Sequence, residues 1–192
     1  MRITRERVAE NRERLLLVAI KQFREHGIDG VGLADITKDA GMSLGSFYGY
    51  FASKEDLVAE ACARGIGDIG HLLSASLSKP NSDSFGNTVD GYLSLRHTQN
   101  RAGGCVLAAL GSELAHQTGV VQKETSKAIA SLFADMAAVL PGKTPKRRRT
   151  LAISTMASLI GGLILSRMMA DAESSQEVLD AVRTSMKHNV AQ

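Results

Sequence analysis

The stretch KDAGMSLGSFYGYF, residues 38–51, places four aromatic side chains, Phe47, Tyr48, Tyr50 and Phe51, within five residues of a chain that is only 4% aromatic. Turn and start signals surround them. Residues 33–40 read as a short helix with Ile36 and Ala40 on one face, ended by Gly41. Ser43 is placed to cap a second helix over 44–51, because its hydroxyl can accept a free amide of the first turn. Only Gly41, Met42 and Ser43 separate the two, which is the spacing of a helix-turn-helix. In that motif the second helix enters the DNA major groove with its N-terminal residues toward the base edges. Phe47 and Phe51, one helical turn apart, suit a small core with Leu16, Ile20, Phe23 and Ile36. Tyr48 and Tyr50 then point outward, where a phenol can donate to a phosphate oxygen, and Lys54 lies in the same footprint.

Working outward, Leu16, Ala19, Ile20 and Phe23 recur at helical spacing up to a stop at Gly27, which makes a first helix. Ser53, three residues before Asp56, opens a long helix that reaches Leu77, before SKPNSDS breaks it. Further helices are predicted over 85–97, 106–117, 120–140, 150–170 and 174–189. With no Trp, three Pro and no sustained alternating β-branched runs, the 192 residues read as an all-α chain. The natural division is an N-terminal three-helix unit, 1–53, followed by a larger helical body, 54–192.

Composition narrows the functional classes. At 44% hydrophobic and 22% charged, the chain can bury a core. Two cysteines are too few for a disulfide scaffold, and the N-terminus is charged where a signal peptide needs an apolar centre, so a cytoplasmic protein is expected. The uncharged run at 151–166, LAISTMASLIGGLILS, is 16 residues, shorter than the ~20 of a membrane span, and Arg167 closes it. It reads as a buried helix at a packed interface, with no membrane implied. A net charge of +3 and a pI near 9.0 permit a nucleic-acid partner. Residues 1–24 hold seven Lys/Arg against three Glu, and PGKTPKRRR at 141–149 adds five more basic residues, read as a solvated loop between helices.

Other motifs carry less. GIGDIG, with Gly65, Gly67 and Gly70, has the G-x-G-x-x-G pattern but no preceding strand, so it reads as a flexible or closely packed part of the fourth helix. The five histidines and two cysteines show no metal-ligand spacing, and no nucleophile elbow or paired acids are present. No cofactor, no metal and no enzymatic activity are expected. Cys105 stands after a Gly pair at a helix start, where free amides and the helix dipole can activate a thiol. Cys62, mid-helix, reads as packing.

The segment GLADITKDAGMSLGSFYGYFASKEDLVAEA, residues 32–61, preceded by RERLLLVAIKQFREHGIDGV, closely resembles the DNA-binding signature of the TetR family of transcriptional regulators. The resemblance is detailed over residues 10–61; beyond them only length and helical pattern agree. It implies that Ser43, Leu44, Gly45, Ser46, Tyr48, Gly49, Tyr50 and Lys54 approach a double-stranded DNA operator. Two departures stand out. Leu44 occupies a position often held by Lys and can touch a thymine methyl instead of donating to guanine. Leu33 replaces a Thr that many members use to bind phosphate.

The resemblance also implies a homodimeric repressor on a palindromic site, formed through the last two long helices, with Ala152, Met156, Leu159, Gly162 and Leu163 at the interface. It implies a body that binds a small, mostly apolar effector, with Leu73, Tyr92, Leu95, Cys105, Leu110, Phe133 and Met136 as pocket candidates. The GC segment resembles that of a subgroup, some members of which sense electrophiles or oxidants. A regulator switched by a thiol-reactive compound at Cys105, or by a protein partner, is therefore the alternative.

Overall fold

A computed structural model of the chain describes residues 5–79 and 83–190. Residues 1–4 of the basic arm and 80–82 of the predicted break lie outside the described residues. Ten helices and no strand occur among the described residues: α1 Arg5–His26, α2 Leu33–Asp39, α3 Leu44–Phe47, α4 Lys54–Leu77, α5 Ser84–Tyr92, α6 Leu95–Gln99, α7 Val106–Ala115, α8 Gly119–Val139, α9 Pro145–Met168 and α10 Ala172–Val190.

α1, α2 and α3 enclose the predicted small core. Leu16, Ile20, Phe23, Ile36, Phe47 and Phe51 are all buried in one cluster, and the Phe47 and Phe51 rings stack with centroids 5.7 Å apart. Each such side chain taken from water contributes about 1.5–3 kcal/mol. The cluster continues without a break into the body through α4, which packs along α8, while α9 packs on α8 and α10.

The glycines of GIGDIG serve packing. A Cβ at Gly65 would stand 2.4 Å from Val106 Cγ2, so the close approach of α4 to the start of α7 requires a residue with no side chain. Gly70 lies against Leu132 of α8 in the same way, at ordinary contact distance.

Three elements depart from the sequence reading. The predicted helix over 85–97 is two helices, because Leu93 ends α5 and Ser94 caps α6, its Oγ accepting from His97 N at 3.3 Å. α3 is a single turn ending at Phe47, and the chain through Tyr50 is a turn rather than helix. The KRRR segment belongs to α9, not to a loop: Thr144 caps that helix and Pro145 starts it, a position where a missing N–H costs nothing. α9 is consequently 24 residues long, long enough and apolar enough to cross a membrane by length and composition alone.

The predicted dimer residues are a correction. Ala152, Met156, Leu159, Gly162 and Leu163 are buried inside the protomer, and Gly162 packs closely against Leu93 and Val182. The outward face of α9 carries Ile153, Ile164, Leu165 and Met168 instead, with open space beside Gly161. Both faces of the helix are apolar, so spacing alone does not tell which one turns inward.

Candidate nucleic-acid interface and the cavity behind it

The turn between α2 and α3 is built by its backbone. Gly41 has φ of +68°, a left-handed conformation that favours glycine, and Met42 N donates to Thr37 O at 2.8 Å. Ser43 then caps α3, its Oγ accepting from Ser46 N at 3.3 Å. This presents Ser43, Leu44 and Gly45 at the exposed N-terminus of α3, with Leu44 46% exposed. A Cβ at Gly45 would meet nothing within 4 Å, so the fold does not demand glycine there.

The aromatic cluster divides two ways. Phe47 and Phe51 are buried, and Tyr48 is 63% exposed. Tyr50 is half-buried, and its hydroxyl accepts from Asn11 Nδ2 at 3.0 Å, while Asn11 Oδ1 accepts from Arg14 Nη2 at 2.9 Å. That bond uses a lone pair of the Tyr50 hydroxyl and leaves its proton to donate. Lys54 Nζ donates to Ile28 O at 2.8 Å, so this ammonium is pinned to the turn before α2 and keeps two further donors. Leu33, at the start of α2, is half-buried against the core, which is a packing role.

Several polar contacts tie this head to the body, among them an ion pair of Glu13 with Arg64 at 3.4 Å. Arg12 pairs with Glu60 through both guanidinium ends at 2.5 Å and lies over the Phe51 ring at 4.5 Å. Lys54 holds the Ile28 carbonyl. Glu113 of α7 accepts from Ile28 N at 2.7 Å. Arg24 of α1 donates to Gly104 O at 2.6 Å.

Behind the head, α4, α5, α6 and the loop after α6 enclose a cavity of about 420 Å³. Leu73 and Tyr92, both singled out in the sequence, line it together with Ile69, Leu72, His97 and Gly104. Leu95, Cys105, Leu110, Phe133 and Met136 do not line it: Leu110 and Met136 are core, Leu95 and Phe133 pack half-buried against the core, and Cys105 lies buried behind the wall.

His97, which sequence spacing had set aside as no metal ligand, organises that wall. Its Nδ1 bonds Tyr92 O at 2.7 Å, and its Nε2 accepts from Cys105 N at 3.1 Å, which together require the neutral ring with the proton on Nδ1. Burial lowers its pKa, an effect opposed by the bond to Tyr92 and reinforced by Arg167. The ring rests on Gly104, where a Cβ would stand 2.9 Å from Nε2. The serine at 94 and the glycine pair were the available signals: a capped break that turns His97 back toward Tyr92, and a residue small enough to receive the ring.

The Tyr92 hydroxyl is buried without a hydrogen-bond partner, and burial pushes its pKa well above the usual tyrosine range. The Cys105 thiol lies near enough to oppose its ionisation, but the geometry falls short of a hydrogen bond. Burial also pushes the Cys62 thiol up to about 12, which leaves it unreactive. Among the described residues no cluster of His, Cys, Asp and Glu could hold a metal ion.

Comparison with known proteins agrees with this geometry. Residues 15–61 match the model of the family described as bacterial regulatory proteins, tetR family. The chain is 34% identical over 71 residues to the HTH-type transcriptional regulator AcrR of Shigella flexneri, a match covering 37% of this chain and 33% of that one. The chain thus spans about a third of the length of that relative. A TetR transcriptional regulator from Legionella pneumophila superposes with a TM-score of 0.74 at 22% identity, over 92% of this chain and 95% of that one. The reduced form of NemR from E. coli superposes with a TM-score of 0.69 at 19% identity, over 91% and 96%. At these identities the solved structures establish the fold. These relatives are transcriptional regulators, not enzymes. Residues 15–61 thus carry the helix-turn-helix signature of the tetR family of bacterial regulatory proteins, and the chain takes the fold of the solved TetR regulators.

Proposed function

We propose that this protein is a cytoplasmic, homodimeric repressor that binds a palindromic operator and is released by a small molecule in the cavity enclosed by α4, α5 and α6. The observation that carries the reading is the exposed, capped N-terminus of α3, with Leu44 and Gly45 exposed there and Tyr48 exposed beside them, its ring edge-on to Phe47. Leu44 reads a thymine methyl, Gly45 admits the backbone to a base edge, and Tyr48, Tyr50 and Lys54 donate to phosphates. Ser43, Ser46 and Gly49 shape this surface. The head is 1–53 and the effector and dimer body is 54–192. Ile153, Ile164 and Met168 on the outward face of α9 support dimerisation, since exposed apolar side chains at helical spacing suit a partner helix.

The effector acts through unequal affinity for two head positions, as any such switch must. The wall residue Gly104 is held by Arg24 of α1 at 2.6 Å, so a ligand displacing the wall pulls on the head. The test is selection of bound duplexes from a random DNA library at two salt concentrations. A palindromic site that survives the higher salt supports the reading, whereas only unspecific binding that salt abolishes would sink it.

A second reading, a thiol switch, is favoured by the place of Cys105 beside Gly104 with its N–H held by His97. Modification there would break the same wall. Cys105→Ser that leaves operator release by a thiol reagent unaltered would refute it.

A further inference from the structure

Another, smaller cavity of about 190 Å³ lies between α1, α7 and α9, beside the α6–α7 loop. Three arginines line it: Arg24 from α1, Arg101 from the loop and Arg167 from α9. The remaining lining residues are Ala108, Ala109, Ile164 and Met168, and no carboxylate is among them. None of the three arginines forms an ion pair among the described residues. The acid that attracts Arg24, Asp68 of α4, is itself engaged by Arg64 at 2.9 Å.

Two of the guanidiniums are fixed in place by neutral carbonyls. Arg24 donates Nε to Ile20 O at 3.2 Å and Nη1 to Gly104 O at 2.6 Å. Arg167 donates Nε to Thr98 O at 3.2 Å, Nη2 to His97 O at 3.2 Å and Nη1 to Ala108 O at 3.4 Å. Carbonyls orient a guanidinium without neutralising it, and a guanidinium has five N–H groups. Arg24 therefore keeps three unspent and Arg167 two, while no hydrogen bond occupies the Arg101 side chain. Half-buried cations converging without a counter-charge are unfavourable. Desolvation lowers the pKa of both Arg24 and Arg167, and repulsion from Arg101 lowers that of Arg167 further.

We propose that this cavity is a binding site for a small oxyanion, a phosphate or the carboxylate or phosphate end of a small metabolite, clasped by Arg24, Arg101 and Arg167. Guanidinium forks match the oxygens of both groups, and pinned forks lose little freedom on binding. Because Arg24 belongs to the head and Arg167 to the body, the anion holds α1 against α9. The site is separate from the larger cavity, and its test needs no DNA.

The full-length protein is melted in increasing inorganic phosphate, with ionic strength kept constant by chloride, and phosphate binding is followed in parallel by calorimetry. The melting temperature of the wild type rises logarithmically, by roughly 3–6 °C for each tenfold increase above half-saturation, while the calorimetric binding saturates. Arg101, exposed and free of side-chain bonds, gives the informative variants. Arg101→Ala melts higher than wild type in chloride, because repulsion is relieved, and loses the phosphate response. Arg101→Glu supplies its own carboxylate, so it melts higher still and ignores phosphate.

A phosphate response undiminished in Arg101→Ala would be a general salt effect and would overturn the site, as would a wild type indifferent to phosphate. An indifferent wild type whose dimer dissociates more readily on Arg101→Ala would instead assign the cavity to a carboxylate of the second subunit, which also overturns the proposal.

Discussion

The carboxylate of Glu113, on α7, accepts the backbone N–H of Ile28, in the turn between α1 and α2, at 2.7 Å across 85 residues of sequence. It also lies 3.0 Å from where a Cβ on Gly27 would stand, and Gly27 has φ of +80°. The body thus reaches into the joint of the helix-turn-helix head at a place where glycine is needed both for conformation and for space. Glu113→Ala leaves the Ile28 amide without its partner and lowers stability by about 1–2 kcal/mol, whereas Glu113→Gln, which can still accept, loses less. Chemical denaturation measures both. If the joint transmits the effector signal, the ratio of operator affinities with and without effector shrinks in Glu113→Ala, and an unchanged ratio excludes the joint from the pathway.

His97 makes stability depend on pH. Its folded pKa is depressed, chiefly by burial, so between that value and the ordinary ~6.5 the unfolded chain binds more protons than the folded one. Its stabilising contribution is complete above about pH 6.5 and is lost as pH falls through the folded value, when a proton on Nε2 expels the Cys105 amide. The urea midpoint therefore drops on acidification, and His97→Gln flattens that part of the profile. A profile that His97→Gln leaves unaltered would remove this histidine as the cause.

The α3 platform separates affinity from specificity. Ser43→Ala removes the cap and costs about 1 kcal/mol of helix stability, so binding weakens equally on all sequences. Leu44→Lys replaces a methyl-contacting side chain by a donor, so it changes the preferred base at one position of each half-site. Tyr48→Phe removes one phosphate donor and weakens binding without changing preference. Selection from randomised duplexes checks all three, and an unchanged preference in Leu44→Lys would place that residue off the bases.

The two faces of α9 give opposite phenotypes. Ile164→Glu, on the outward face, dissociates the dimer in sedimentation while each chain stays folded. Met156→Ala, 1% exposed and inside the protomer, lowers stability by about 2–5 kcal/mol. Stable dimers of Ile164→Glu would locate the interface elsewhere.

The sequence by itself determined the helical class, the caps at Ser43 and Ser53 and the place of the helix-turn-helix, though not the length of α3. Those features arise from neighbouring residues: Gly41 for a left-handed turn, Ser43 for a cap, and Phe47 and Phe51 one turn apart for the core. Tertiary structure decided what depends on residues distant in the chain. It chose the inward face of α9, because both faces are apolar and only packing against neighbouring helices, α8 and α10 foremost, distinguishes them. It also folded α6 back so that His97 meets Tyr92 and Cys105, and it gathered Arg24, Arg101 and Arg167 around one cavity. No local periodicity records such encounters, since each is set by the path of the chain between the residues that meet.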